Sequence, residues 1–291
     1  MTTTTRWRVT AVCLLAAVHT ARLQGVQLDA AQPPPWEGCN VTGNFTEGSR
    51  YQANIHRLAR TLPVDTANSP AMFATGTAGA FPDTVYALAL CRGDTNDTLS
   101  CAGCIETAFQ NAQQLCALSK GATIYDNPCI LRYSSSDFLA NKTDNGVEYG
   151  TWNTQNVSKT KEAAFLAAAV RLVNQTGANA ATDAVRRFST GEEPFDSESY
   201  PHIYSLAQCT PDLSASDCRA CLSDSIRLSG WQSNYSGKPG GRSIGVRCNF
   251  RFETYPFYFG APLLQLPNQG KLKFLCYLAY RLFHFECITH R

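Results

Sequence analysis

What this 291-residue chain has little of removes several functions at once. Its 25 basic and 23 acidic residues leave a formal charge of only +2, with no extended run of Lys or Arg. An electrostatic footprint for nucleic acid or an anionic bilayer is therefore missing, and both are discounted as partners. Histidine is scarce, and none of His56, His202, His284 and His290 lies in a recognisable nucleophile motif. His56 reads as the polar face of a helix, His202 as a strand entry, and the carboxylate pair Glu192-Glu193 as a solvated loop. No enzyme and no cofactor are expected. Long apolar runs are also lacking: Val9 to Val18 is too short to span a bilayer, and Leu272 to Ile288 is interrupted by Lys273, Arg281, His284 and Glu286.

Cysteine, by contrast, is abundant, with 13 in the chain. Arg6 and Arg8 precede the apolar run, and small residues follow near Ala21, so residues 1–25 read as a secretory signal peptide whose removal takes Cys13 with it. An oxidising route makes disulfides the expected state of the remaining cysteines. Seven Asn-x-Ser/Thr sequons agree with export and are the candidate glycosylation sites: Asn40, Asn44, Asn96, Asn141, Asn156, Asn174 and Asn234. Spacing argues against zinc. Structural sites place their second Cys pair some 15 to 20 residues on, and here the two C-x2-C pairs, at Cys101 and Cys218, lie far apart, each with other cysteines beside it.

Cys209, Cys218 and Cys221 form a C-x8-C-x2-C motif, and Cys91, Cys101 and Cys104 form a C-x9-C-x2-C copy. Phe73-Ala-Thr-Gly76 likewise answers Phe188-Ser-Thr-Gly191, 115 residues on, and Cys129 answers Cys248, 119 residues on. Near-constant offsets mean an internal duplication. In the first unit Tyr51 to Leu62 has helical spacing and is stopped by Pro63, and Val85 to Cys91 reads as a strand. Ser100 is the expected cap of a helix running to about Cys116, and Gly121 to Tyr133 reads as two strands turning at Asp126-Asn127-Pro128. Lys159 to Asn174 is the corresponding helix of the second unit, and Tyr255, Phe257, Tyr258 and Phe259 alternate as a last strand would. The order predicts an α+β fold of two tandem repeats, each an antiparallel sheet covered by two helices. The units are placed at residues 36–141 and 147–259, with residues 260–291 a tail of no assigned role.

The first unit has six cysteines and the second has counterparts for only four, lacking those of Cys39 and Cys116. Joint loss is expected of bonded partners, which pairs Cys39 with Cys116 and leaves three arrangements for the other four. Trp231 and Tyr235 flank the place where the second bridge is missing.

The C-x8-C-x2-C core, Gly240-Gly-Arg242 and Cys248-Asn-Phe-Arg-Phe-Glu253 resemble the plant cysteine-rich secretory repeat, also called the ginkbilobin-2-homologous or stress-antifungal domain. The resemblance covers roughly residues 36 to 259. It implies the disulfides Cys39–Cys116, Cys91–Cys101, Cys104–Cys129, Cys209–Cys218 and Cys221–Cys248. It also implies a secreted, apoplastic protein of defence or stress response, as in antifungal members that bind mannose through an Asn, an Arg and a Glu. In the first unit Asn40 matches, but Thr123 and Ser134 stand in the other two places. In the second unit Arg242 and Glu253 both match, and Asn153 or Asn156 is the candidate Asn. An Arg and a carboxylate on neighbouring strands suit vicinal hydroxyls, or else form an ion pair that only decorates the sheet. The implied partners are mannose-type glycans, or alternatively receptor ectodomains contacted without any sugar, and a homo-oligomer is compatible with either. The tail departs from the family and reads as translated non-coding sequence, or alternatively as a divergent extension in which Cys276 and Cys287 bond together.

Overall fold

The computed structural model describes residues 27–28, 34–39, 42–196 and 198–268. The signal-peptide segment, Asn40 and the tail from residue 269, with Cys276 and Cys287, lie outside the described residues. In chain order the elements are β1 (Gln27–Leu28), β2 (Trp36–Cys39), α1 (Arg50–Asn68), β3 (Phe73–Ala78), β4 (Val85–Cys91), α2 (Thr98–Leu115), β5 (Gly121–Tyr125) and β6 (Cys129–Ser134). The second repeat follows with β7 (Tyr149–Trp152), α3 (Glu162–Thr182), β8 (Phe188–Pro194), β9 (His202–Cys209), α4 (Ala215–Leu228), β10 (Gly241–Ile244), β11 (Cys248–Glu253) and β12 (Leu264–Gln265). The first sheet is antiparallel in the order β2-β5-β6-β4-β3. The second runs β1-β7-β10-β11-β9-β8-β12, antiparallel except for the short outer pairs made by β1 and β12. This is the expected α+β duplication.

Three local readings change. Helix α1 does not stop at Pro63 but continues to Asn68. Proline removes one ladder donor, yet Pro63 lies on the buried face, and the turn beyond it buries Thr66 and Ala67. The Thr66 hydroxyl donates to the Leu62 carbonyl at 2.7 Å. Helix α2 is capped by Asp97, whose carboxylate accepts the Ser100 N–H at 2.6 Å, so Ser100 is inside the first turn and not its cap. Helix α3 outlasts Asn174 because Thr176, Gly177, Ala180 and Ala181 continue its buried stripe.

Two strand readings change as well. Glu192 and Glu193 belong to β8 rather than a loop, with Glu193 only 1% exposed and ion-paired to Arg171 of α3. Residues 255–259 are not a strand; β11 ends at Glu253. Pro256 has no N–H to give a ladder, and the segment folds back so that the Tyr258 hydroxyl donates to the Gly191 carbonyl at 3.1 Å.

Five disulfides join Cys39–Cys116, Cys91–Cys101, Cys104–Cys129, Cys209–Cys218 and Cys221–Cys248, the pairing the resemblance implies. Both C-x2-C pairs are consumed in them. Where the second repeat lacks its third bridge, Gly230 enters the left-handed region at φ 68° and starts a π-helical turn, Trp231–Tyr235. Trp231 stacks on Phe250 and Phe252 with centroids 5.7 and 5.1 Å away, and the Tyr235 hydroxyl donates to the Arg242 carbonyl at 2.7 Å.

Each sheet covers its helices with one face, and the two helix-free faces pack against each other. Leu88, Leu90 and Ile130 of the first sheet, with Trp36 and Phe138, meet Ile244 and Val246 of the second repeat in one buried cluster. Polar groups fix the register. The Gln208 side chain donates to the Cys91 carbonyl at 3.1 Å and accepts from the Gly93 N–H at 3.3 Å, and Arg186 donates to the carbonyls of Pro70 and Gly93 at 3.0 and 2.6 Å. Glycine at position 93 allows this close approach, since a Cβ there would lie 2.3 Å from Cγ of Phe188 unless that side chain shifted.

Candidate functional site

Arg242 and Glu253 come from adjacent strands of the second sheet. Phe250 and Phe252 point to the helices, so the alternation of β11 sends Arg251 and Glu253 to the opposite face, where Arg242 stands directly across from Arg251. Two cations facing each other repel. Each is answered separately. Arg251 pairs with Glu253 at 2.9 Å and lies over the Phe257 ring, 4.3 Å from its centroid. Arg242 turns toward the first repeat, donates to the Asn127 side chain and stacks on Trp36, 4.9 Å from the ring centroid. Burial, reinforced by the Arg251 cation and partly offset by Glu253, pulls the Arg242 guanidinium down to about 10.

Glu253 is 3% exposed. Its second oxygen accepts from the Asn153 side chain at 3.1 Å, and Asn153 is itself pinned by its N–H donating to the Gly240 carbonyl at 3.0 Å. Gly240 explains part of the Gly-Gly-Arg motif, because a Cβ there would sit 1.9 Å from the Glu253 carboxylate. Asn156 is elsewhere, accepting from Lys238 at 2.9 Å. The structure thus brings Asn153, Glu253 and Arg251 together and sends Arg242 to the other repeat, so Arg242 and Glu253 are not each other's ion-pair partners.

In the first repeat, Thr123 and Ser134 are both buried in the sheet, and Asn40 lies outside the described residues. Among the sequons, Asn44, Asn96, Asn141, Asn156 and Asn174 are exposed. Asn234 is half-buried, its side-chain amide donating to the Ser229 carbonyl at 2.8 Å. Among the described residues no helix is long and apolar enough to cross a membrane.

A family model described as salt stress response/antifungal matches residues 38–136 and 151–255. The chain belongs to the salt stress response/antifungal family. Within that family it is 52% identical over 233 residues to cysteine-rich receptor-like protein kinase 10 of Oryza sativa subsp. japonica, covering 79% of this chain and 36% of the kinase. The chain therefore spans about a third of that relative's length. It is 34% identical over 220 residues to cysteine-rich repeat secretory protein 38 of Arabidopsis thaliana, covering 75% of this chain and 82% of the relative. Its fold is similar to the tandem DUF26 ectodomain of the Arabidopsis cysteine-rich receptor-like protein PDLP8, with a TM-score of 0.58 at 22% identity, covering 75% of this chain and 96% of that one.

Reading the sequence for the family's sugar residues missed the partners that occupy them here. Arg251 and Trp36 carry no motif that marks them as such partners, and Asn127 reads only as part of the turn at Asp126-Asn127-Pro128. A signal for one existed: the offset of 119 that joins Cys129 to Cys248 also joins Arg132 to Arg251 and Phe138 to Phe257. Arg132 stacks on Phe138 at 4.4 Å as Arg251 does on Phe257, so both family repeats build the same arginine-on-phenylalanine unit on the helix-free face.

Proposed function

We propose that the protein is an extracellular recognition module of defence or stress response that acts through protein contact, resembling the ectodomain part of a receptor-like kinase, with no catalytic role and no dependence on mannose. The observation that carries this reading is the fate of Arg242. A sugar-gripping guanidinium must be free to give its donors to hydroxyls, whereas this one is spent on Asn127 and Trp36 of the other repeat. Five disulfides suit an oxidising compartment and favour secretion to the apoplast.

A second reading keeps mannose, favoured by the approach of Asn153 to Glu253 at 3.1 Å. Calorimetric titration of the whole protein with mannose and oligomannose separates the two. No saturable heat is expected at millimolar sugar, and Arg242→Ala is expected to lower the unfolding temperature instead. Saturable binding abolished by Asn153→Ala overturns the protein-contact reading.

A further inference from the structure

The two repeats correspond at their outer strands. β8 of the second repeat and β3 of the first correspond at an offset of 115 and are built alike. Each is entered through a non-glycine residue at positive φ, Met72 at 52° and Arg187 at 49°. Each carries a glycine that lets its helix approach: a Cβ at Gly76 would lie 2.7 Å from Leu58 of α1, and one at Gly191 would lie 3.1 Å from Leu172 of α3. Hydrogen-bond parity is also the same, with Cys91 donating to the Met72 carbonyl at 2.8 Å and Cys209 to the Arg187 carbonyl at 2.9 Å. Alternation along an antiparallel ladder then turns the backbone groups of Phe73, Thr75 and Thr77 outward in the first repeat, and those of Phe188, Thr190 and Glu192 outward in the second.

The second edge is occupied. β12 lies parallel to β8 with Leu264 opposite Gly191; Leu266 donates its N–H to the Glu192 carbonyl at 2.9 Å and packs against the second core. The Leu263 N–H meets the Thr190 hydroxyl at 3.1 Å. The first edge is not: β3 ends its sheet, and among the described residues no strand pairs with its outer side. Folded proteins usually protect such an edge with charge, proline or a bulge. β3, Phe-Ala-Thr-Gly-Thr-Ala, has none of these, and its register with β4 is unbroken over all six residues. Thr75 and Thr77 are exposed, and β3 holds none of the sequons.

We infer that the β3 edge is a docking site for an extended, uncharged peptide segment of a partner protein, with apolar residues at alternate positions like Leu264 and Leu266, laid parallel to β3 as β12 is laid along β8. Backbone groups of Phe73, Thr75 and Thr77 supply the ladder, and the lack of charge on β3 sets the preference for an uncharged strand. This site rests on the protein-contact reading and gives it a surface. The two fail separately, since saturable mannose binding removes that reading, while absence of peptide binding removes only this site.

The probe is a labelled peptide with the sequence of residues 261–268, Ala-Pro-Leu-Leu-Gln-Leu-Pro-Asn, added to the whole protein. Saturable binding is expected, with slowed amide exchange at Phe73, Thr75 and Thr77. Thr75→Pro removes an outward N–H without touching the bonds to β4, and is expected to weaken binding at least about tenfold, the loss of a ladder bond plus a steric clash. No binding up to about 1 mM peptide, or binding that survives Thr75→Pro and leaves the β3 amides unprotected, overturns the proposal. So does self-association of the unmodified protein that Thr75→Pro abolishes, because the occupant is then a second copy. If Thr75→Pro fails to fold, the amide-exchange map of the unmodified protein decides alone.

Discussion

Trp231→Ala tests whether an aromatic stack replaces a disulfide in the second repeat. In the first repeat Cys39–Cys116 closes a chain separation of 77 residues, for which the chain-entropy model gives about 4.5 kcal/mol. The second repeat holds the corresponding corner with Tyr235, which meets Trp152 of β7 at 6.3 Å, and with Trp231, 9% exposed and stacked on Phe250, Phe252 and Tyr235. Truncating a buried Trp costs about 3 to 5 kcal/mol. Against this, the Trp231 ring N–H has no hydrogen-bond partner among the described residues, and deleting an unsatisfied buried donor returns about 1 kcal/mol. The expected net loss is about 3 kcal/mol, or roughly 6 to 12 °C in unfolding temperature for a domain pair of this size. Urea titration followed by near-ultraviolet circular dichroism reads it directly. Trp231→Phe keeps the stack and drops the donor, so it should lie within about 1 kcal/mol of the unmodified protein. A loss below about 1 kcal/mol for Ala, or equal losses for Ala and Phe, refutes the substitution of stack for bridge.

Gly93→Ala should loosen the contact between repeats by about 1 to 3 kcal/mol through overpacking against Phe188, and adding Phe188→Ala should recover part of the loss, a coupling that a double-mutant cycle on thermal unfolding measures. The Ser100 N–H holds the Asp97 carboxylate below the usual range, so its contribution is fully present above the unfolded value near 4 and is lost as pH falls through the lower folded value. Asp97→Asn retains a cap and should flatten the decline of unfolding temperature between about pH 5 and 3; an unchanged decline rules Asp97 out as its source.

Duplication was legible because it is a one-dimensional signal: constant offsets between cysteines and Phe-x-Thr-Gly copies need no geometry. Helix faces were legible for the same reason, as with Tyr51, Ile55, Leu58 and Leu62. Errors arose where tertiary packing outweighed a local rule. Pro63 continues a helix because its ring is buried, and Glu193 enters a strand because Arg171 of a helix neutralises it. At the site, Arg242 and Glu253 could be found by position, but their environment could not. Asn127 lies 115 residues from Arg242, and nothing local in the sequence indicates that the turn of one repeat reaches the sheet of the other. β12 was missed because two residues are too few for an alternating pattern.

Packing the repeats through their helix-free faces also sets a schedule. The first repeat is complete at Ser134, but Ile244 and Val246, which cover Leu88, Leu90 and Ile130, come about 110 residues later. At a synthesis rate of about 5 to 20 residues per second, that is roughly 6 to 22 s in which a finished half carries an uncovered apolar sheet face. During that interval its three disulfides reinforce the core already closed between α1, α2 and the sheet, which gives a reason for the earlier-made half to carry the bridge that the later half replaces with the aromatic stack around Trp231 and Tyr235.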